Sequence, residues 1–271
     1  MLDVTILKVY HAKESEAKKL RPYIEECHVF SQENALATKE KSQYIEDIWN
    51  SLLKAKNRTQ AKKFAESTHQ GQDYDSIAYG VKLYDMLYQT KCSLWHLERF
   101  SPDESKLLSR ILDSVNLKHR EMLYNLEQGN IINFIENVWV KNQRMYELID
   151  LRDQHMGANL ATAEKEIRTK YPQLKHEPLK YIIMIGALHC VEKYASLSIN
   201  YINLDRHYDL EFHYTKINPS QTSLEEARSL FLAYGLRLIA SGCKVRMTDQ
   251  EILAMDETQL EKTIKDILRK N

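Results

Sequence analysis

Glycine is scarce in this chain, 7 among 271 residues, alongside 5 prolines. Neither GxGxxG nor GxxxxGKS/T occurs. That argues against a Rossmann or P-loop site, where glycines let the backbone approach phosphate closely. The four cysteines, Cys27, Cys92, Cys190 and Cys243, form no CxxC pair, so zinc-ribbon and thioredoxin motifs are absent. They read as small buried hydrophobes in a reducing compartment. No apolar run approaches the roughly 20 residues that span a bilayer. No basic region leading into an apolar segment and a small-residue cleavage site is visible. The expectation is a soluble, cytoplasmic protein with no membrane partner. A surplus of one charge is also missing, since Lys+Arg is 38 and Asp+Glu is 38. Phosphate backbones need a basic surplus, so nucleic acid is not an expected partner. The cluster Lys54, Lys56, Arg58, Lys62 and Lys63 reads as a solvated helix face.

What is present is an α/β pattern long enough to bury a core without disulfides or a structural metal. Strands are expected over Val4–Tyr10, His28–Gln32, Cys92–Leu97, Leu179–Ile185 and Tyr208–Tyr214. Leu179–Ile185 is the most apolar and should be central. Helical patterns cover about 16–27, with Pro22 bending it or marking a late start. Others cover about 38–56, with Tyr44, Ile48, Leu52 and Ala55 on one stripe, and about 74–90. Residues 57–75 are polar, without clean periodicity after Phe64, and His69–Asp73 reads as an exposed loop. Ser101-Pro102-Asp103-Glu104 is a strong helix start. From 103 to about 168 the pattern is helical, broken near Gln128-Gly129-Asn130. A helix is expected after His189. Ser223, Thr248 and Asp256 cap the closing helices. The fold class expected is α/β: a mixed central sheet of about five or more strands, with flanking helices. It would be one domain over 1–271, with a helical insertion over 103–170 between two strand–helix halves.

Two strands run out into histidines: Ile6-Leu7-Lys8-Val9-Tyr10-His11 and Ile183-Met184-Ile185-Gly186-Ala187-Leu188-His189. Open α/β sheets place ligands at the carboxyl ends of strands, so the two imidazoles are candidates to share one site. Glu33 ends the second strand. It should lie beside His11 if strands one and two are parallel neighbours, giving a general-base pair or two metal ligands. On the helix near 152, Arg152, His155 and Asn159 share a face by spacing, whereas Asp153 should point elsewhere. That face suits an anion or a polarised carbonyl. Gly186 permits a tight turn or close backbone approach. His96, Glu98 and Arg99 end the third strand and could reach the same edge. Cys190 raises a thiol-nucleophile alternative, but its neighbour His189 is poorly placed for proton transfer.

The order strand-xxH, strand ending in Glu33, the 152–159 helix, then Gly186-Ala187-Leu188-His189 resembles the TraB/Tiki group. That group belongs to the wider erythromycin-esterase-like and haem-binding ChaN-like superfamily. Lys8 stands where the family's first motif has glycine, and Cys190-Val191-Glu192-Lys193 replaces its glycine-rich turn. The resemblance implies two facing strand–helix halves. It implies a cleft where His11, Glu33 and His189 meet, lined by Arg152, with Gly186, His155, Asn159 and Glu98 around a ligand. It also implies a hydrolase of ester or amide bonds acting on a small molecule or peptide. Water would be activated by His and Glu, with or without a divalent metal (Mn, Co or Zn) on His11, Glu33 and His189. A non-catalytic binding or scaffold protein with a decayed cleft is the other class. On the hydrolase reading, His11 and His189 are expected to be exposed cleft residues, so that replacing them would leave thermal stability nearly unchanged. Arg152→Ala is likewise expected to cost little fold.

Overall fold

The computed structural model describes residues 1–9, 14–33, 36–68, 74–175, 178–204 and 210–270. Among the described residues there are five strands: β1 (Leu2–Val9), β2 (Val29–Gln32), β3 (Ser93–Leu94), β4 (Leu179–Gly186) and β5 (Ile199–Asn203). Ten α-helices accompany them: α1 (Arg21–Ile24), α2 (Lys39–Ala55), α3 (Arg58–Thr68), α4 (Tyr74–Gln89), α5 (Pro102–Glu127), α6 (Ile131–Lys170), α7 (Leu210–Thr215), α8 (Leu224–Gly242), α9 (Asp249–Leu253) and α10 (Glu257–Lys270). Short 3-10 turns cover Glu14–Leu20 and Val191–Lys193. The α/β class expected from the sequence is what the structure has, and every strand pairing is parallel.

The strand order is β3-β2-β4-β1-β5. β4 is the middle strand because Leu179-Lys180-Tyr181-Ile182-Ile183-Met184-Ile185-Gly186 offers apolar groups to both faces. Its position overturns one expectation. β1 and β2 are not neighbours, because β4 pairs with both. The register sets Val9 opposite Gly186, so the strands that lead to His11 and His189 end side by side.

The chain forms two compact units, 1–106 with 150–206 and 107–149 with 207–271. In the first, one sheet face packs Leu7, Phe30 and Ile182 against Leu20, Ala61, Ala65, Leu83 and Leu87 of the neighbouring helical elements. The other face packs Ile6, Tyr181 and Ile183 against Met156, Leu160, Ala163 and Ile167 of α6. In the second unit, Phe134, Phe231, Leu236 and Ile264 build a separate core. Gly235 lets α8 approach α6 there, because a Cβ would stand 2.8 Å from Phe134 Cε1.

Helix starts follow the capping signals. Thr38 accepts from Lys41 N–H at 3.4 Å, Ser101 and Glu104 bond reciprocally, and Ser223 and Thr248 form capping boxes. Pro22 lies in the first turn of α1, where no backbone donor is needed.

Other expectations are corrected. The segment expected as a strand over Tyr208–Tyr214 is helix α7 in its described part; Tyr208 and Asp209 lie outside the described residues. Leu210 and Tyr214 are both buried at i and i+4. Over so few residues that spacing satisfies period 2 and period 3.6 alike. The helix expected after His189 is one 3-10 turn, and β5 follows it. β5 is five residues long, its Asn200 and Asn203 break period-2 alternation, and it is half exposed, so it carries a weak strand signal. The expected third strand shortens to Ser93–Leu94. On α2 the buried residues are Ser42, Glu46 and Trp49, while Tyr44 is 66% exposed. The polar 57–68 stretch is mostly α3, whose buried stripe is the small pair Ala61 and Ala65. His69–Asp73 lies outside the described residues. Cys27 and Cys92 are buried as expected, but Cys190 and Cys243 are half-buried.

Gly157 of α6 meets the turn that follows His189 without a side chain between them. A Cβ there would stand 2.5 Å from Tyr194 Cβ and 2.7 Å from its carbonyl carbon. Gly157→Ala should destabilise the protein by about 1–3 kcal/mol, despite alanine's better helix propensity. Urea unfolding monitored by circular dichroism reads this; an unchanged or raised midpoint would refute the close contact.

Candidate functional site

Glu33 follows β2 directly, and its N–H bonds Met184 O at 2.9 Å. That bond holds its carboxylate beside the end of β4. Glu33 Oε2 accepts from Gly186 N–H at 3.0 Å. A Cβ on Gly186 would lie 3.3 Å from that oxygen, so glycine permits the close backbone approach expected at this strand end. The chain then turns, with His189 N–H on Gly186 O at 3.2 Å.

His189 is buried, 3% exposed. Its Nδ1 lies 2.6 Å from Asp153 Oδ1, and its Nε2 lies 3.6 Å from Glu33 Oε1. Asp153 Oδ2 accepts from Cys190 N–H at 2.7 Å. Arg152 Nε donates to Glu98 Oε1 at 2.6 Å, and its Nη2 stands 2.6 Å from Glu33 Oε1. The second contact is an ion pair whose angle is poor for a hydrogen bond. The result is one line of alternating charge: Glu98, Arg152, Glu33, His189, Asp153.

Charge alternation sets protonation. Burial favours neutral His189, but Asp153 and Glu33 outweigh it and raise its pKa to about 9. Burial also opposes the Glu33 carboxylate, yet Arg152 and His189 hold it well below the usual range. Arg152 is raised against its own desolvation by Glu98 and Glu33. Burial raises the Cys190 thiol, which leaves it a poor nucleophile.

The structure thus brings Glu33, Glu98, Arg152, Gly186 and His189 together. Asp153 joins them, contrary to the expectation that it faces away. Adjacent residues on a helix diverge by about 100°, but both can be buried where the turn after β4 wraps over α6. His155 and Asn159 do not join. His155 packs on Phe100 at 4.3 Å between ring centres and lies 3.6 Å from Glu104 Oε1. Asn159 donates to Leu97 O at 2.8 Å. His11 lies outside the described residues. Lys8 places its Nζ 4.6 Å over the Tyr201 ring.

A second buried cluster went unread in the sequence. Glu46, fully buried, takes Arg99 Nη2 at 2.6 and 2.7 Å, Lys170 Nζ at 2.7 Å and His96 N–H at 2.7 Å. His96 and Arg99 therefore belong to this cluster, not to the edge shared by Glu33 and His189. Its signal was an acid on α2 next to a weak apolar stripe, which looks like any solvated acid.

Comparison with protein-family models, with curated proteins and with solved structures finds no match to this chain. The TraB/Tiki resemblance therefore rests on the residues quoted above.

Of the expected divalent-metal set, His11 lies outside the described residues. No group of three His, Cys, Asp or Glu among the described residues could hold a metal ion.

The burial of this line makes its charges matter for stability. Arg152→Ala would strand Glu98, which is 1% exposed, and Glu33. It should cost about 3–5 kcal/mol, which revises the expected small loss of fold. His189→Gln should also show a cost, because His189 is buried and not an exposed cleft residue. The His189 proton adds stability fully below pH 6.5, and this contribution fades as pH rises through about 9. Thermal melts across pH 6 to about 10 should therefore slope downward more steeply in the wild type than in His189→Gln. Parallel slopes would refute the protonated assignment.

Proposed function

We propose that this strand-end cluster is a hydrolytic site for ester or amide bonds, working by acid–base chemistry. The observation that carries the reading is the Asp153–His189–Glu33 line at the carboxyl ends of β2 and β4. β1 leads next to β2 and β4 leads next to β5, so the chain leaves these adjacent strands in opposite directions. Ligands of open parallel sheets bind at such a divergence.

His189 is the proton donor in this reading. Asp153 fixes its Nδ1–H and leaves Nε2–H to act. The 3.6 Å gap to Glu33 is longer than a hydrogen bond, so that proton is not tied up. Glu33 stays ionised and is the cluster's most exposed member at 34%. It accepts a hydrogen bond from the attacking water. His11, two positions beyond β1 in sequence, is the proposed base for that water. Water adds to the acyl carbon, the C–O or C–N bond breaks, and the leaving group takes the His189 proton. Arg152 positions Glu33 and, with Glu98, holds the frame. The substrate is a small ester, amide or peptide.

One observation favours a non-catalytic binding role instead. Both Glu33 oxygens already have partners, Oε1 on Arg152 and Oε2 on Gly186 N–H. Turnover decides between the two. Wild type is assayed on a panel of nitrophenyl esters and peptidyl anilides, with and without added Mn, Co or Zn. His189→Gln should lower kcat by about 10²–10³ while the protein remains folded at assay temperature. Wild-type rate should fall as pH rises through about 9, where His189 loses its proton. Absence of wild-type turnover, or full activity in His189→Gln, would make the binding role the better reading.

A further inference from the structure

The charges of this chain balance overall but not locally. A hollow of about 760 Å³ lies in the helical layer built on the 3-10 turn Glu14–Leu20, α1, α3 and α4. Five cations line it: Lys18, Arg21, Arg58, Lys62 and Lys82. They come from four different elements, which a solvated face on one helix would not provide. Asp85 is the only carboxylate among its described lining residues.

The hollow also has an apolar floor, with Ala17, Val81 and Met86. Its size is that of a small-molecule site. Arg58 is fixed in advance. Its Nε and Nη2 bond the two Asp85 oxygens at 2.8 and 2.9 Å, and Gln89 holds Asp85 at 2.7 Å. No described residue accepts from Arg58 Nη1, which leaves that edge for a ligand. Arg21 meets Glu25 only across an exposed 3.7 Å pair, a contact of little strength.

We infer that this hollow binds a small phosphate-bearing molecule with an apolar or aromatic group. The phosphate would meet the cationic rim, and the apolar part would cover Val81 and Met86. Multiply charged phosphate suits a lining of five cations and one carboxylate better than a single carboxylate does. This inference does not depend on the hydrolase reading, since it uses none of the residues at the strand ends.

Calorimetric titration of the full chain with phenyl phosphate, inorganic phosphate and benzoate tests it. Phenyl phosphate should saturate, bind more tightly than either partial mimic, and weaken as salt rises. Arg21→Glu and Lys62→Glu should each weaken it by about tenfold. Both side chains are exposed, so the melting temperature should hold and a loss of binding cannot be blamed on unfolding. Three results would each overturn the inference. One is no saturation by phenyl phosphate. Another is an affinity untouched by either reversal. The third is a single-stranded oligonucleotide binding more tightly through the same cations.

Discussion

A carboxylate cannot stay ionised in a protein interior unless a cation meets it, and Glu98 is 1% exposed. Much of the strand-end architecture follows from that constraint. Arg152 must face inward to reach Glu98, which fixes the rotation of α6 over the sheet end. The guanidinium's charge is also within reach of a second carboxylate, and Glu33 forms an ion pair with it. Glu33 can do so because its own N–H is bonded to β4. Its second oxygen then holds Gly186 N–H, and His189 stands next in line with Asp153 behind it. Removing one member strands its neighbours, so the line behaves as a unit.

The same rule accounts for the irregular segment after β3. Only Ser93 and Leu94 are in the ladder, yet the chain stays buried through Glu98. Side chains take over the backbone's hydrogen bonds. Leu97 N–H goes to Ser31 Oγ, His96 N–H to Glu46, and Leu97 O to Asn159. Glu98 O accepts from Ser42 Oγ at 3.0 Å. Glu98 and Arg99 then part, one to Arg152 and the other to Glu46. Two adjacent opposite charges thus anchor different helices, α6 and α2, to one short stretch of chain.

These polar anchors mark the boundary of what the sequence made legible. Apolar periodicity located β1, β2 and β4 and predicted that β4 is central. Cap residues located α2, α5, α8 and α9 closely. Polar burial defeated the same reasoning. Tyr44 and Ile48 looked like the inner face of α2, but Ser42 and Glu46 bury there because Glu98 O and Arg99 give them partners. Helical phase brought Arg152 in and sent Asp153 out, because phase says nothing of a turn that covers the helix from outside. Gly186 and Glu33 were legible because a strand end is where a short polar residue or a glycine stands out. β5 and α7 were not, since five or six residues seldom separate the two periods.

Strand order decides which of the proposed partners can meet. With β4 between β1 and β2, Glu33 reaches the end of β4 and stands beside His189 there. The imidazole placed there is not the neutral base that a bare histidine at a strand end suggests. Two carboxylates, Glu33 and Asp153, flank it, and the line's third, Glu98, lies beyond Arg152, its only other cation. The fifth member must therefore be positive to limit the excess, and His189 holds its proton up to about pH 9. At neutral pH this histidine can therefore donate a proton but not accept one.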